Sequence, residues 1–169
     1  MEEIEVPTEH LHETIQERAE EAKESKWLMG VAISTALMAV FAALASLFAG
    51  HHSNEALIEQ IKSSDQWAYY QAKGIKAEIA SLKENKEEAT AFFEKYKKEQ
   101  EEIKKEAEAA TKTSEEHLLR HLVIAKAVTL FQIAIAISAI AVLTRKKFLW
   151  IGSILIAAIG LIFFVSGLM

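Results

Sequence analysis

The sequence predicts an all-α membrane protein: three transmembrane helices, with a long antiparallel helical hairpin (a coiled coil) between the first and the second. Three stretches, 27–50, 127–144 and 148–169, contain no Asp, Glu, Lys or Arg, although these residues make up 25% of the chain. Each stretch is about as long as a helix must be to cross a hydrocarbon core of roughly 30 Å. The segment between the first two stretches is highly charged and lacks proline, which permits long helices.

This pattern divides the chain into six segments. They are an acidic amphipathic arm (1–26), transmembrane helix 1 (27–50), an extramembrane helical hairpin (51–121), transmembrane helix 2 (122–144), a basic loop (145–147) and transmembrane helix 3 (148–169). In the arm, Leu11, Ile15, Ala19 and Ala22 form a narrow apolar stripe, and Pro7 is placed like a first-turn proline.

The loop Arg145-Lys146-Lys147 predicts the orientation, because short loops rich in Lys and Arg stay on the cytoplasmic side of a membrane. With three spans, the N-terminal arm lies on the same side as this loop. The hairpin and Met169 then lie on the periplasmic or extracellular side, and the lipid bilayer is the first partner of the chain.

Two apolar stripes predict the legs of the hairpin. The first stripe consists of Leu57, Ile61, Ser64, Ala68, Ala72, Ile75, Ile79 and Leu82. The second stripe consists of Ala89, Phe93, Tyr96, Gln100, Ile103, Ala107, Ala110, Ser114, His117 and His121. Spacings of three and four residues are typical of an amphipathic helix, and a sustained seven-residue repeat favours coiled-coil packing. We expect the reversal at Lys83-Glu84-Asn85-Lys86, with Asn85 in a left-handed conformation.

Two sets of residues are candidates for contacts with other subunits or partners. The aromatic cluster of the hairpin provides Trp67, Tyr70 and Gln71, and Gly74 beside them leaves room for a close neighbour. Such a cluster also occurs in ordinary packing between helices. The first span provides the small residues Ala39, Ala42 and Ser46, which follow Thr35 and precede Ala49 on one helical face.

Four histidines are the one constellation with metal-binding chemistry. If the hairpin reverses near Asn85, His51 and His52 lie opposite His117, and His121 follows one turn later. Imidazole is a common ligand of divalent metals, and His52, His117 and His121 with Glu55 or Glu116 would form a site. The alternative is that these histidines occupy the polar boundary between span and hairpin. No other cofactor is expected.

Composition excludes several functions. The chain has no cysteine, which rules out disulfides and thiolate catalysis. Apart from Lys126 at the margin of the second span, whose long side chain can reach the interface, the spans lack the ionisable residues of proton-coupled carriers. Charges of both signs are interleaved along the hairpin, unlike the clustered basic surface of a nucleic-acid-binding protein. No paired acid and base, nucleophile elbow or phosphate loop is present, so we expect no enzymatic activity.

Two runs, 49–57 (AGHHSNEAL) and 65–76 (DQWAYYQAKGIK), carry a resemblance to a known family. Together with the small-residue first span, they resemble a family of small bacterial membrane proteins described as domain of unknown function 4337. The resemblance extends over essentially the whole chain and implies a bacterial inner-membrane location. It implies no activity, cofactor or catalytic residue.

From these observations we expect a non-enzymatic integral membrane protein, a homo-oligomeric scaffold or interaction protein that projects a coiled-coil hairpin and contacts an unidentified protein partner. The alternative is an oligomeric channel or a transport accessory subunit, whose pore would be lined by backbone, hydroxyls and apolar side chains.

Overall fold

The structure is a computed structural model that describes the backbone from residue 8 onward and side chains from residue 26 onward, in both cases except Glu84. The predicted arm stripe and Pro7 lie outside the described side chains. The described residues form three helices and no strand, which confirms the all-α prediction: α1 (Thr8–Ser81), α2 (Lys86–Thr144) and α3 (Lys147–Leu168). Each of the three contains a segment that is long and apolar enough to cross a membrane.

Helix α1 continues from the apolar segment into the charged one without a break. The only proline of the chain, Pro7, precedes α1, so no residue within it lacks a backbone donor. The glycines Gly30, Gly50 and Gly74 do not interrupt it. The segment boundary predicted at residue 50 is therefore a change of composition within one helix.

Asn85 begins α2 as an N-cap. Its side-chain oxygen accepts hydrogen bonds from the backbone N–H groups of Glu87 and Glu88, at 3.2 and 3.5 Å. Both glutamates lie in the first turn of α2, where negative charge complements the helix dipole. The expected left-handed conformation of Asn85 is wrong, since Arg145 is the only described residue other than glycine with a positive φ.

A Schellman-type turn ends α2. Arg145 adopts φ 53°, and the N–H of Lys146 donates to the carbonyl of Ala141 at 3.2 Å. The N–H of Arg145 donates to the carbonyl of Val142 at the same distance. The predicted basic loop is therefore two residues long, because Lys147 already belongs to α3.

The chain forms two compact units. The first consists of the chain up to Leu44 together with Ala127–Ile162. In it, Thr35 and Ser138 share a hydrogen bond of 2.6 Å, and the rings of Phe41 and Phe131 stack with centroids 6.0 Å apart. These contacts join α1 to α2 within the apolar segments.

The second unit consists of Ala45–Lys126 together with Phe163–Met169. Its hydrogen bonds join α1 and α2 in antiparallel order. Ser114 donates to the carbonyl of Ala56 at 2.8 Å, and Gln100 donates to the carbonyl of Tyr70 at 3.1 Å. As the residue number rises along α1, the number of its partner falls along α2.

The second stripe lies at the contact between the two legs. Gln100, Ile103, Ala107, Ala110 and Ser114 are buried, and the other members are buried or half-buried. The prediction for this leg therefore identified the residues that face α1.

The first stripe does not face α2, contrary to the expectation that the apolar stripe is the packing face of α1. Leu57, Ile75 and Leu82 are 61%, 61% and 82% exposed. The face of α1 that contacts α2 is instead formed by smaller and more polar residues. These are His52, Ala56, Ser63, Tyr70, Ala77 and Ala80. Small residues allow the two backbones to approach closely, and hydroxyls such as that of Ser63 then reach groups of the opposite helix.

Candidate functional site

His52 and His117 meet where the charged part of α1 begins and the charged part of α2 ends. Their Nδ1 atoms lie 3.0 Å apart and their ring centroids 5.3 Å apart. His52 is 8% exposed and His117 is half-buried. The first lies on the face of α1 that contacts α2, and the second belongs to the second stripe, so helix packing brings them together.

The geometry of this pair requires one Nδ1 to donate and the other to accept. Two imidazolium rings would direct N–H groups at each other, so the pair is stable only while at least one ring is neutral. Burial lowers the pKa of His52 below its usual value of 6.5, and repulsion from His117, His51, Arg120 and His121 lowers it further.

The other two predicted histidines lie beside the pair without joining it. His51 is exposed, with its ring centroid 5.4 Å from that of His52. Nδ1 of His121 lies 2.8 Å from the backbone carbonyl oxygen of Ala49 and donates to it. One nitrogen of His121 is therefore engaged by backbone rather than directed at the pair.

The predicted metal ligands are thus only partly assembled. His52 and His117 are adjacent, but Glu116 lies 3.9 Å from Lys112 in an ion pair on the exposed surface. Among the residues that the structure describes, no group of three His, Cys, Asp or Glu side chains is arranged to hold a metal ion.

The aromatic cluster of the hairpin packs partly within the chain. The rings of Trp67 and Tyr70 make an edge-to-face contact with centroids 5.5 Å apart, and both side chains are half-buried. The room left by Gly74 is filled by Gln100, whose Nε2 would lie 2.7 Å from a Cβ at residue 74. Gln71 is exposed.

A family model described as a domain of unknown function (DUF4337) matches residues 27–169. This chain belongs to the DUF4337 family. The match includes the three apolar segments, the four histidines of the hairpin and the aromatic cluster, and it begins after the acidic arm. A search of curated proteins and a search of solved structures returned no match to the chain.

An ion pair near the middle of the hairpin of this DUF4337 chain was not identified from the sequence. Lys73 on α1 donates to Glu99 on α2, and its ammonium also lies 5.1 and 5.4 Å from the ring centroids of Tyr69 and Tyr96. The hydrogen bond between them raises the pKa of Lys73 and lowers that of Glu99. Only the register between the legs reveals this pair, because the two residues are distant in sequence.

The small-residue face predicted in the first span packs within the chain only in part. Thr35 and Ala42 are half-buried and Ala49 is buried, whereas Ala39 and Ser46 are exposed. Met38 and Ala45, which lie beside the predicted face, are also buried.

Proposed function

We propose that this DUF4337 chain is a non-enzymatic multi-pass membrane protein that self-associates and acts as an interaction scaffold through its helical hairpin. The observation that carries this proposal is the first stripe, whose Leu and Ile side chains are exposed on a highly charged segment and do not pack against α2. Such a surface on a polar segment marks a protein contact.

Membrane insertion is the first part of the proposal. Three apolar segments of sufficient length support it, since an α-helix satisfies its backbone hydrogen bonds internally within lipid. We place the basic turn at Arg145 and Lys146 and the N-terminal arm in the bacterial cytoplasm, and the hairpin on the opposite side of the inner membrane.

A coiled-coil hairpin is the second part. The faces of α1 and α2 that contact each other follow spacings of three and four residues on both legs. Buried Ser63 and Ser114 donate to carbonyls of the opposite helix, at 3.3 and 2.8 Å, and fix the register of the legs. The legs therefore act as one rod whose outer surface is available to a partner.

Two measurements on the full chain test the scaffold against the channel. We expect light scattering in mild detergent to give the mass of at least two chains, and we expect reconstituted liposomes to show no ion or solute flux above empty liposomes. A monomeric mass would overturn self-association. Flux that depends on the protein would favour the channel.

Topology has its own test because the chain lacks cysteine. A single cysteine at Lys146 should resist an impermeant maleimide in intact cells, and one at Glu101 on the hairpin should react. The opposite pattern would invert the orientation.

A further inference from the structure

The exposed surface of α1 contains a regular coiled-coil seam, here called the outer seam. Its members are Ile58, Ile61, Asp65, Ala68, Ala72, Ile75 and Ile79, followed by Leu82 in the turn directly after α1. Successive members are separated alternately by three and four residues, over about three and a half heptads. Ala72 is half-buried and the others are exposed. The seam lies away from the face of α1 that contacts α2, so the hairpin itself does not explain it.

We propose that a second copy of this chain docks on the outer seam, with the two α1 helices parallel and in register. This inference rests on the proposed self-association and assigns it a surface, a partner and an orientation. In heptad terms, Ile58, Asp65, Ala72 and Ile79 occupy a positions, and Ile61, Ala68, Ile75 and Leu82 occupy d positions.

Membrane anchoring favours the parallel orientation. In the proposed topology, which this inference also adopts, both copies insert the apolar segment of α1, long enough to cross a bilayer, in the same orientation. Their hairpins then leave the bilayer on the same side and point in the same direction. Two α1 helices in one membrane can therefore meet side by side only in parallel.

The charges beside the seam favour the same orientation. The e positions on one flank within α1 are Lys62, Tyr69 and Lys76, and the g positions on the other flank are Leu57, Ser64, Gln71 and Glu78. In an antiparallel pair, e positions face e positions, which opposes lysine to lysine. In a parallel pair, e faces g, so that Lys62 of one copy faces Leu57 of the other, and Lys76 faces Gln71, which opposes no like charges.

Residue size at the centre of the seam also fits a second helix. Ala68 and Ala72 leave the backbone of α1 accessible between the larger Ile61 and Ile75. Small residues there let two helices approach, while the branched side chains on either side interdigitate.

Asp65 is the one charged member of the seam, and in a parallel pair it faces its own copy. A polar residue at a single a position restricts register and lowers stability. The seam therefore specifies an association that is weaker than an all-apolar heptad would give. Replacing this aspartate provides a gain-of-association test.

Cysteine cross-linking in native membranes tests the proposal directly, since the chain itself contains no other cysteine. Single cysteines at Ile61 and Ile75, both d positions, should form covalent dimers under mild oxidation. Matched controls at Glu101 and Glu108, exposed on α2, should cross-link at least about fivefold more slowly. Equal rates at seam and control positions would overturn the proposal.

Orientation is tested by co-expressing two differently tagged chains, one with Ile58→Cys and one with Leu82→Cys. A parallel pair gives dimers of equally tagged chains and little mixed product, whereas an antiparallel pair gives mainly the mixed product. A dominant mixed product would overturn the parallel arrangement.

The aspartate test uses the full chain in mild detergent. Asp65→Leu should tighten the dimer by about tenfold, because it removes a like-charge contact, and Asp65→Glu should leave the affinity near that of the original. No difference between the two variants would contradict the predicted contact. If wild-type chains self-associate but the seam cysteines do not cross-link, this inference fails and the scaffold proposal stands. A monomeric wild type overturns both.

Discussion

His52 on α1 and His117 on α2 share a hydrogen bond between their Nδ1 atoms, 3.0 Å apart, next to the apolar segments of the two helices. The bond requires at least one neutral ring, and His52 is held toward its neutral form by burial and by neighbouring positive charge. Protonation therefore acts against the contact that joins the two legs at this point.

Acid should destabilise this contact. The pKa of His52 is lower in the folded protein than the 6.5 of an unfolded chain, so the unfolded state binds more protons between these two values. Stability is fully present above about pH 6.5 and decreases as the pH falls toward the folded pKa. We expect thermal unfolding of the solubilised chain to shift to lower temperature between pH 7.5 and 5.5. His117→Asn should reduce this shift, and His51→Gln should reduce it less, because repulsion from His51 is a smaller cause of the lowered His52 pKa than repulsion from His117. An unchanged shift in His117→Asn would contradict the assignment.

Loss of the N-cap of α2 should destabilise the reversal between the legs. Asn85→Ala removes the acceptor of two backbone N–H groups and should reduce the free energy of unfolding by about 1 kcal/mol. The matched control is Asn54→Ala, an exposed position inside α1 where alanine should be neutral or stabilise by a few tenths of a kcal/mol. Denaturant titration of both variants measures the difference, and equal effects would argue against capping.

A methyl group at Gly167 should be poorly tolerated. A Cβ there would overlap the side chain of buried Ile124 and lie 3.4 Å from Cγ1 of Val123. Overpacking of this kind costs about 1–3 kcal/mol, which exceeds the roughly 1 kcal/mol that alanine gains over glycine in a helix. Gly152→Ala on the same helix meets nothing within 4 Å and should be neutral or stabilising. The thermal unfolding temperatures of the two variants in detergent measure the difference. A stabilised Gly167→Ala variant would contradict the predicted overlap with Ile124.

The hydrogen bond between Thr35 and Ser138 should stabilise the first unit modestly. Ser138→Ala removes a buried hydroxyl that lies 2.6 Å from that of Thr35, and hydrogen bonds between membrane helices contribute about 0.6 kcal/mol on average. Ser166→Ala is the control, because this exposed hydroxyl bonds only within its own helix, to the carbonyl of Phe163. In unfolding by a denaturing detergent, Ser138→Ala should be less stable than the original chain, and Ser166→Ala should be unchanged. A loss in Ser166→Ala as large as in Ser138→Ala would contradict a specific contact.

The sequence by itself determined where the helices and the reversal lie. Charge-free length identified the three apolar segments, and the seven-residue repeat from Ala89 to His121 identified the face of α2 that packs against α1. These features can be predicted because they depend on the composition and periodicity of one segment and not on its packing partner. The same spacing placed His52 and His117 close together once the reversal was assigned near Asn85.

Only the tertiary structure decided which face of α1 contacts α2. Hydrophobicity favoured Leu57, Ile61 and their neighbours, yet the legs meet through Ala56, Ser63 and Ala77. The two helices approach closely through small residues, and serine hydroxyls bond to carbonyls of the opposite helix. The largest apolar side chains of this segment of α1 are not buried in that contact and remain available for another one. Helix α1 has two faces with a periodic pattern, one of small residues and one of large apolar residues. Sequence periodicity cannot show which of these two faces α2 contacts.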